Sequence, residues 1–436
     1  GALFVAGFAL ARRIVHSAFG AVLRAIRDNA GRTLALGHAV GRYKLAVFVI
    51  AALYAGLAGS LLGVFQSYMP PDSFSLETSG QLVAQTVIGG VGTLIGPLVG
   101  SAVWLYLQQN LQLIPGVGAL WKFLLGLIFV ILVTVLRRGI AGTLLSLRRA
   151  RTKPAPAASA LPETLPALPL AAPAIRASQG APALEARGLS KFYGGIRAVE
   201  DVSLAIAAGS VHAVIGPNGA GKSTLFKMLL DEVSPTAGEV FFFGRRITGL
   251  GVAGACQAGL GKSYQVNQLF SGLTVRENLR IAALARRRGA FRLDLLRSAS
   301  SIPSVEQQIE AALETIGLSA RAELSPSVLA YGEKRRLEIG LALAGSPHVL
   351  LLDEPLAGMS PEERAATKRL IARLREEATL VIVEHDMDAV FELADKISVL
   401  ANGHLLAEGT PAEIQRNSSV QSAYLGGLEA HETAVP

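Results

Sequence analysis

The 436-residue sequence predicts an α-helical transmembrane segment followed by an α/β domain. Three observations lead to this prediction. Residues 45–65 form an uncharged apolar run, long enough to cross a bilayer, which needs about 20 residues. Residues 215–225 read IGPNGAGKSTL, a glycine-rich loop between a strand pattern and a helix pattern. Residues 152–183, between these two parts, are dominated by alanine and proline, which is typical of a semi-extended linker.

The changes in composition divide the chain into four parts. We expect a transmembrane portion at residues 1–150, the linker at 151–183, the α/β domain at 184–427 and a tail at 428–436. About half of the residues (51%) are hydrophobic and only 17% are charged, which leaves too few charges for the surface of an ordinary soluble protein. The single cysteine, Cys256, excludes an intrachain disulfide and suits a reduced compartment.

The chain opens inside an apolar run, GALFVAGFALA, that is followed by Arg12 and Arg13. A secretory signal would place its basic residues before such a run. We therefore expect the first residues to be the end of a membrane helix whose upstream part is absent from this sequence.

A second apolar run, at residues 117–136, begins near Trp121 and Lys122, an aromatic anchor and an amine that can reach the membrane surface. A long core helix of a soluble protein would also be apolar, but two such runs with basic flanks favour a membrane. Two clusters of basic residues flank the runs, and the segment at 66–79 contains two acids and no base. The positive-inside rule places both clusters in the cytoplasm and residues 66–79 outside. The clusters are Arg12, Arg13, Arg24, Arg27, Arg32, Arg42 and Lys44, and then Arg137, Arg138, Arg148, Arg149, Arg151 and Lys153.

This orientation requires residues 66–116 to begin and end outside. Their apolar part should therefore enter the bilayer and return, and it should break where helix-breaking residues cluster. Broken helices line transport pathways in many transporters; the alternative is a pair of short helices that pack closely through glycine. Gln81 and Gln85 suit a polar path or a hydrogen bond between helices equally well. The predicted breaking residues are Gly89, Gly90, Gly92, Gly96 and Pro97.

The glycine-rich loop fits the phosphate-binding pattern G-x-x-x-x-G-K-[ST], with SVHAVI before it as a strand and KSTLFKMLL after it as a helix. Backbone N–H groups of such a loop bind phosphate oxygens at the positive end of the following helix. Lys222 would reach the β and γ phosphates, and Ser223 would hold Mg²⁺. The residues expected to contact the nucleotide are Asn218, Gly219, Ala220, Gly221, Lys222, Ser223 and Thr224.

Two further strand patterns end in groups that can act on a bound nucleotide. HVLLLDEP delivers Asp353 and Glu354 to the end of a buried strand. We expect Asp353 to hold Mg²⁺, directly or through water, and Glu354 to orient or deprotonate the attacking water. TLVIVEH ends at His385, a candidate sensor of the γ-phosphate, although a single histidine is more often structural.

Together these motifs resemble the nucleotide-binding domain of an ATP-binding cassette (ABC) transporter, an α/β P-loop domain with a helical subdomain. LAYGEKRRLEIGLAL resembles the family signature, and its form is similar to that of the ATP-binding subunits of branched-chain amino-acid importers. The stretches LLLDEPLAGMSPEE and VEHDMDAVFELADKISVL and the ending AYLG point the same way. In the transmembrane portion, AFGAVLRAIRDNAGRTLALGHAVGRYKLAVFVIAA and IGGVGTLIGPLVGSA resemble the permease subunits of the same family.

The resemblance implies roles for further residues. Tyr193 in LSKFYGG matches the aromatic residue that stacks on adenine. Gln265 in KSYQVNQLF matches the glutamine that couples Mg²⁺ to the membrane domain and assists catalysis. The signature residues expected to bind ATP are Leu329, Ala330, Tyr331, Gly332 and Glu333.

The sequence departs from the family pattern at three positions. Ala330 replaces the serine that contacts the γ-phosphate in many ABC proteins, so the resemblance assigns that contact to the backbone around Gly332. Glu333 replaces the usual glutamine, and Ser360 replaces the aspartate of the common SALD turn. The permeases of this family also have more spans than are present in this sequence, which covers only their C-terminal portion.

The resemblance further implies ATP and Mg²⁺ as cofactors and a set of partners. ATP would lie between the phosphate-binding loop of one ATPase domain and the signature of a second, identical or homologous domain. A second permease subunit, an extracytoplasmic substrate-binding protein and membrane lipid complete the set. Residues 24–37 match a short cytoplasmic helix that docks near Gln265; without the resemblance they read as a solvated basic loop. Between Gln265 and Leu329 we expect the helical subdomain.

We therefore expect ATP-driven import of branched-chain or related amino acids across the bacterial cytoplasmic membrane, by a multi-pass protein with a cytoplasmic ATPase domain. A urea or short-amide importer has very similar motifs. An ABC-type ATPase that acts on nucleic acid would also suit the net charge of +8, but it would place basic patches in the ATPase half and lack the apolar runs. No nucleic-acid partner is therefore expected. A fusion that hydrolyses ATP without transport remains a further alternative.

Overall fold

The computed structural model describes residues 1–68, 71–114, 120–136, 139–149, 182–265 and 268–423. The chain divides into two compact units, one of Gly1–Arg13 with Val47–Ala155 and one of Ile14–Ala46 with Pro156–Pro436. Nearly all of the predicted linker and the whole predicted tail lie outside the described residues. So do four members of the second basic cluster, namely Arg137, Arg138, Arg151 and Lys153.

Helices dominate the first 149 residues. In chain order they are α1 (Ala2–Val15), α2 (Ala18–Asp28), α3 (Ala30–Ala35), α4 (Val40–Gln66), α5 (Leu76–Gly89), α6 (Gly96–Leu113), α7 (Trp121–Val135) and α8 (Gly139–Arg149). Among the described residues, two stretches are long and apolar enough to cross a membrane, α4 and one that begins at Trp121. Both apolar runs are therefore helical, as predicted; residues 117–119, where the second run was expected to begin, lie outside the described residues.

The predicted break between the two short helices is confirmed. Helix α5 ends at Gly89, and α6 begins at Gly96. A Cβ atom on Gly89 would lie 1.7 Å from the Gly96 carbonyl oxygen, and one on Gly100 would lie 1.8 Å from the Gln85 carbonyl oxygen. Only glycine allows this approach. The Ser101 hydroxyl donates to Gln85 Oε1 at 3.2 Å, so this glutamine bonds between helices, and the contacts favour the close-packing alternative.

The described residues of the second unit form two sheets. The strands are β1 (Leu184–Tyr193), β2 (Ile196–Ile206), β3 (Val211–Ile215), β4 (Ala237–Phe242), β5 (Arg245–Arg246), β6 (Leu260–Lys262), β7 (Val349–Asp353), β8 (Thr379–Val383), β9 (Lys396–Ala401) and β10 (His404–Gly409). Besides α2 and α3, its helices are α9 (Lys222–Leu229), α10 (Gly251–Ala258), α11 (Val275–Arg288), α12 (Pro303–Thr315), α13 (Tyr331–Ala344), α14 (Pro361–Leu374), α15 (Met387–Leu393) and α16 (Pro411–Arg416).

The larger sheet has the order β10-β9-β3-β8-β7-β6, and its strands are parallel except for β10. The smaller sheet, β2-β1-β4-β5, is antiparallel. Strands β3, β7 and β8 are almost continuously buried, as expected for parallel strands covered on both faces. Their carboxyl ends meet at one edge, where open α/β sheets bind ligands.

The region between Gln265 and Leu329 forms the expected helical subdomain. Helix α11 begins with a capping box between Thr274 and Glu277, which satisfies N–H groups at the helix start. It packs against α12 and α13. Helix α13 carries the signature motif, so the subdomain and the signature form one packed unit.

Residues 24–37 do not form the single helix that was expected. Helix α2 ends at Asp28 and α3 begins at Ala30, because Asn29 between them has an extended backbone (φ −151°, ψ 98°). The Asn29 side chain then caps α3 by accepting a hydrogen bond from the Arg32 N–H at 2.8 Å. A short polar side chain that caps the next helix is therefore the physical reason for the break.

The docking expected of these residues is confirmed. We call residues 17–43, which include α2 and α3, the docking segment. The Cys256 thiol donates to the Ala35 carbonyl at 2.9 Å, and the Gly272 N–H donates to Asp28 at 3.0 Å. His38 Nε2 lies 2.9 Å from the Ile281 carbonyl, and burial lowers the pKa of His38 to about 4. The His38 ring is therefore neutral at pH 7 and donates this bond. Because residues 24–37 bond to other elements through Ala35 and Asp28, the interpretation of these residues as a solvated loop is wrong.

Candidate nucleotide site

The phosphate-binding loop spans residues 216–221, between the end of β3 and the start of α9. Gly219 (φ +81°) and Gly221 (φ +97°) both have a backbone conformation that favours glycine. Asn218, Gly219 and Ser223 are exposed, whereas Ala220 and Lys222 are buried. The loop thus has the strand–loop–helix context predicted for a phosphate cradle.

The Lys222 ammonium lies within this loop. Its Nζ donates to the carbonyl oxygens of Gly216 at 2.7 Å and Pro217 at 2.9 Å. Burial lowers the pKa of Lys222, and the carboxylates of Glu354 and Asp353 act in the opposite direction. These interactions link the loop electrostatically to the acidic strand end and hold a cation inside a glycine-rich loop at the start of a helix, a combination that fits the phosphates of a nucleotide.

The two glycines allow a matched test of the loop. A Cβ atom on Gly221 would lie 2.4 Å from the Ala198 carbonyl oxygen, whereas one on Gly219 would meet no atom within 4 Å. Both substitutions to alanine carry similar backbone strain, about 1 kcal/mol or more. We expect Gly221→Ala to weaken ATP binding at least about tenfold more than Gly219→Ala. Titration with a fluorescent ATP analogue measures this difference; equal dissociation constants would contradict it.

Glu354 brings the three predicted catalytic residues together. Its Oε2 accepts a hydrogen bond from Gln265 Nε2 at 2.6 Å, and its Oε1 lies 3.0 Å from His385 Nε2. Glu354 also has a positive φ of 46°, a strained conformation that is common at functional sites. Its N–H donates to the Val383 carbonyl at 2.8 Å, which holds the end of β7 against β8.

The groups expected to hold Mg²⁺ are oxygen donors, as this ion requires. Asp353 ends β7 and is mostly buried, and burial raises the pKa of its carboxyl group. The described residues contain no cluster of three or more His, Cys, Asp or Glu side chains that could hold a metal. Mg²⁺ at nucleotide sites usually binds one or two carboxylates together with phosphates and water, so Asp353, Ser223 and Gln265 fit such a site.

Arg335 is a site residue that the sequence analysis missed. Arg335 is almost fully buried (1% exposed). One end donates to the Gln265 carbonyl at 2.7 Å and to the Tyr264 carbonyl, and the other donates to the Asp353 carbonyl at 2.9 Å and to the Glu354 carbonyl. Arg335 therefore ties helix α13 to both backbone segments of the catalytic group. The sequence feature that could have identified Arg335 is an arginine at a core-facing position of helix α13.

Tyr193 and the signature residues lie at other positions of the domain. Tyr193 ends β1 and is half exposed, with the Lys191 ammonium 5.3 Å from its ring centroid. Ala330 and Tyr331 are exposed at the start of α13, whereas Leu329, Gly332 and Glu333 are buried.

Two of the departures from the family pattern have structural partners. Glu333 forms a buried ion pair with Arg321 at 3.4 Å and accepts a hydrogen bond from the Ala330 N–H at 3.0 Å. Ser360 caps α14 and forms a capping box with Glu363. Glu333 and Ser360 therefore both have bonding partners close to them in the structure.

Comparison with known families finds three matching regions. A family described as ABC transporter matches residues 199–357. A family described as branched-chain amino acid transport system, permease component, matches residues 2–133. A third, described as branched-chain amino acid ATP-binding cassette transporter, matches residues 404–430.

Individual relatives match this chain over nearly their whole length. The high-affinity branched-chain amino acid transport ATP-binding protein BraF of Pseudomonas aeruginosa is 39% identical over 250 residues, which are 56% of this chain and 98% of that protein. The LivG protein of Escherichia coli, of the same description, is 37% identical with the same coverage. The lipopolysaccharide export protein LptB of Escherichia coli is 34% identical over 56% of this chain and 97% of its own. A nucleotide-free ATP-binding cassette from an ABC transporter superposes with a TM-score of 0.50 and 27% identity, over 55% of this chain and 98% of that structure.

Proposed function

Because the chain belongs to the branched-chain amino acid family of ABC transporters, we propose that it hydrolyses ATP to import branched-chain amino acids. Permease and ATPase regions are combined in one chain. It is an inner-membrane protein with a cytoplasmic ATPase domain; multi-pass insertion is part of the proposal. The observation that carries the ATPase assignment is the Glu354 carboxylate, held between Gln265 and His385 at the carboxyl ends of the parallel strands.

In the proposed reaction, Glu354 orients and deprotonates the attacking water, and His385 holds the carboxylate in place. Lys222 and the loop N–H groups bind the phosphates, while Tyr193 stacks on the adenine ring. Asp353, Ser223 and Gln265 would hold Mg²⁺. When bound, the ion neutralises charge on the phosphate oxygens.

The proposed transporter needs a second ATPase domain, a second permease subunit and an extracytoplasmic binding protein. ATP would lie between the loop of one ATPase domain and the signature of the other. Bound ATP would hold the two domains together, and hydrolysis would let them separate. The docking segment is continuous in the chain with α1 and α4. Its Arg32 guanidinium donates to the Lys262 carbonyl at the end of β6 and to Glu338 on helix α13. Closure can therefore act on the membrane helices through this segment.

Uptake of labelled solute tests this proposal. We expect cells that express the chain with its neighbouring genes to accumulate leucine, and cells that carry Lys222→Ala to lose this uptake. Uptake of labelled urea in place of leucine would favour the urea or short-amide alternative. Intact ATP hydrolysis without uptake of either solute would contradict the substrate proposed and leave the non-transporting fusion.

A further inference from the structure

The start of helix α13 already binds an anionic group. The backbone N–H of Gly332 donates to Glu363 Oε1 at 3.1 Å. Gly332 is the second residue of α13, where a helix has unpaired N–H groups and a partial positive charge. The carboxylate therefore lies where this helix end binds anions most favourably.

Glu363 is held firmly in this position. It lies in the first turn of α14, and its other oxygen, Oε2, accepts a hydrogen bond from the Ser360 N–H at 3.1 Å. The Glu363 N–H donates in turn to the Ser360 hydroxyl at 3.3 Å. A Cβ atom on Gly332 would lie 2.2 Å from Glu363 Oε1, so the approach depends on glycine at this signature position.

The surrounding charges suit an anion at this position. Arg336 is buried on the same helix; burial lowers the pKa of its guanidinium, and the charges of Glu333 and Glu363 oppose that shift. Removal of the Glu363 carboxylate takes away one of two nearby negative charges. A phosphate at the start of α13 would restore it.

We propose that Glu363 competes with ATP at the site between two ATPase domains, because its carboxylate accepts a hydrogen bond from the Gly332 N–H that the γ-phosphate must reach. The inference rests on the proposed function, in which the signature of one domain binds ATP held by the other. Like charges repel, so Glu363 must leave this N–H when the domains close. The separated state is thereby favoured, and the ATP concentration needed for closure rises.

Glu363→Gln separates this effect from helix stability. Glutamine also completes a capping box, so its single carbonyl oxygen keeps the bond to the Ser360 N–H and leaves the Gly332 N–H without a carboxylate. The matched control is Glu362→Gln in the same helix turn, because the Glu362 carboxylate accepts from the Ser360 hydroxyl at 3.2 Å. Both variants lose one negative charge in the first turn of α14.

The first measurement is the ATP dependence of hydrolysis in membranes that contain the full chain and its partner subunits. We expect Glu363→Gln to lower the KM for ATP about fivefold, which corresponds to about 1 kcal/mol, with kcat unchanged within about twofold. Glu362→Gln should leave both constants at the wild-type values. A purely structural role for Glu363 would lower kcat and leave KM unchanged.

The second measurement needs no activity. Hydrogen exchange of the peptide that contains Gly332, in the absence of nucleotide, should quicken about fivefold in Glu363→Gln and not in Glu362→Gln. An unchanged or raised KM, unchanged exchange, or equal shifts in both variants would overturn the inference. If ATP hydrolysis by the wild-type chain does not depend on Glu354, the proposed function itself fails. If hydrolysis does depend on Glu354 and one of these contrary results is found, only the inference about Glu363 fails.

Discussion

Replacing Glu354 by glutamine lowers kcat for ATP hydrolysis by about 10²- to 10⁴-fold, the usual contribution of a general base, while ATP still binds. Glutamine has nearly the same shape and can still accept a hydrogen bond from Gln265, but it cannot take a proton from water. Its amide also removes the negative charge beside His385, which now lies 3.0 Å from Glu354 Oε1. The loss should therefore fall on the chemical step.

Steady-state hydrolysis and equilibrium ATP binding, measured on the same preparation, test this expectation. The matched control is Glu392→Gln, which removes a mostly exposed carboxylate that pairs with Lys368 on the surface. We expect its kcat to equal that of the wild type. A Glu354→Gln protein that hydrolyses ATP at the wild-type rate would show that another group is the base.

The double variant Glu354→Gln with His385→Ala tests whether the two residues act as a unit. Residues of one catalytic unit are strongly non-additive. We therefore expect the double variant to be no more than about threefold slower than Glu354→Gln alone. Multiplied losses would mean that His385 acts independently of the carboxylate, on the nucleotide itself.

Arg32→Ala should abolish leucine uptake and lower the melting temperature of the ATPase unit by about 10 °C. Arg32 and Glu338 form an ion pair at 2.6 Å in which neither side chain is exposed. Removing the arginine leaves a buried carboxylate without its partner, at a cost of about 3–5 kcal/mol. The Glu338 carboxylate also accepts from the Gln268 N–H, so the change reaches the segment that carries Gln265.

Arg24→Ala is the matched control for this prediction, because it removes a second arginine of the docking segment. The Arg24–Glu277 pair has a similar distance, 3.2 Å, but both side chains are partly exposed. Exposed pairs contribute at most about 1 kcal/mol, so this variant should melt within a few degrees of the wild type. If both variants lost stability and uptake equally, the buried Arg32–Glu338 pair would contribute no more than the partly exposed Arg24–Glu277 pair, and the prediction would be wrong.

A hydrophobic double variant separates packing from charge. Replacement of a buried ion pair by apolar residues of similar volume is often neutral for stability or stabilising. We expect Arg32→Met with Glu338→Leu to regain most of the melting temperature. If uptake returns too, the pair serves stability alone. If uptake stays absent, the hydrogen bond that Glu338 accepts from the Gln268 N–H is needed for coupling.

The sequence by itself determined the features that depend on short-range spacing. The glycine loop between strand and helix, the acids at the end of a buried strand and the two apolar runs are local patterns, and each lies in the predicted type of element. The structure adds that Asp353, Glu354 and His385 meet at one edge, because β7 and β8 are parallel neighbours with their carboxyl ends on the same side. Sequence reasoning therefore placed these residues correctly at the ends of buried strands, and their catalytic roles stay predictions.

Only the tertiary structure decided which charged side chains are buried and paired. Arg32 and Glu338 are 306 residues apart, and the sequence places Arg32 in a basic cytoplasmic cluster without naming its partner. The clamp by Arg335 and the contact of Glu363 with the Gly332 N–H likewise join separate elements. A local pattern records the propensity of one element, whereas desolvation and pairing of a charge depend on which other elements pack against it.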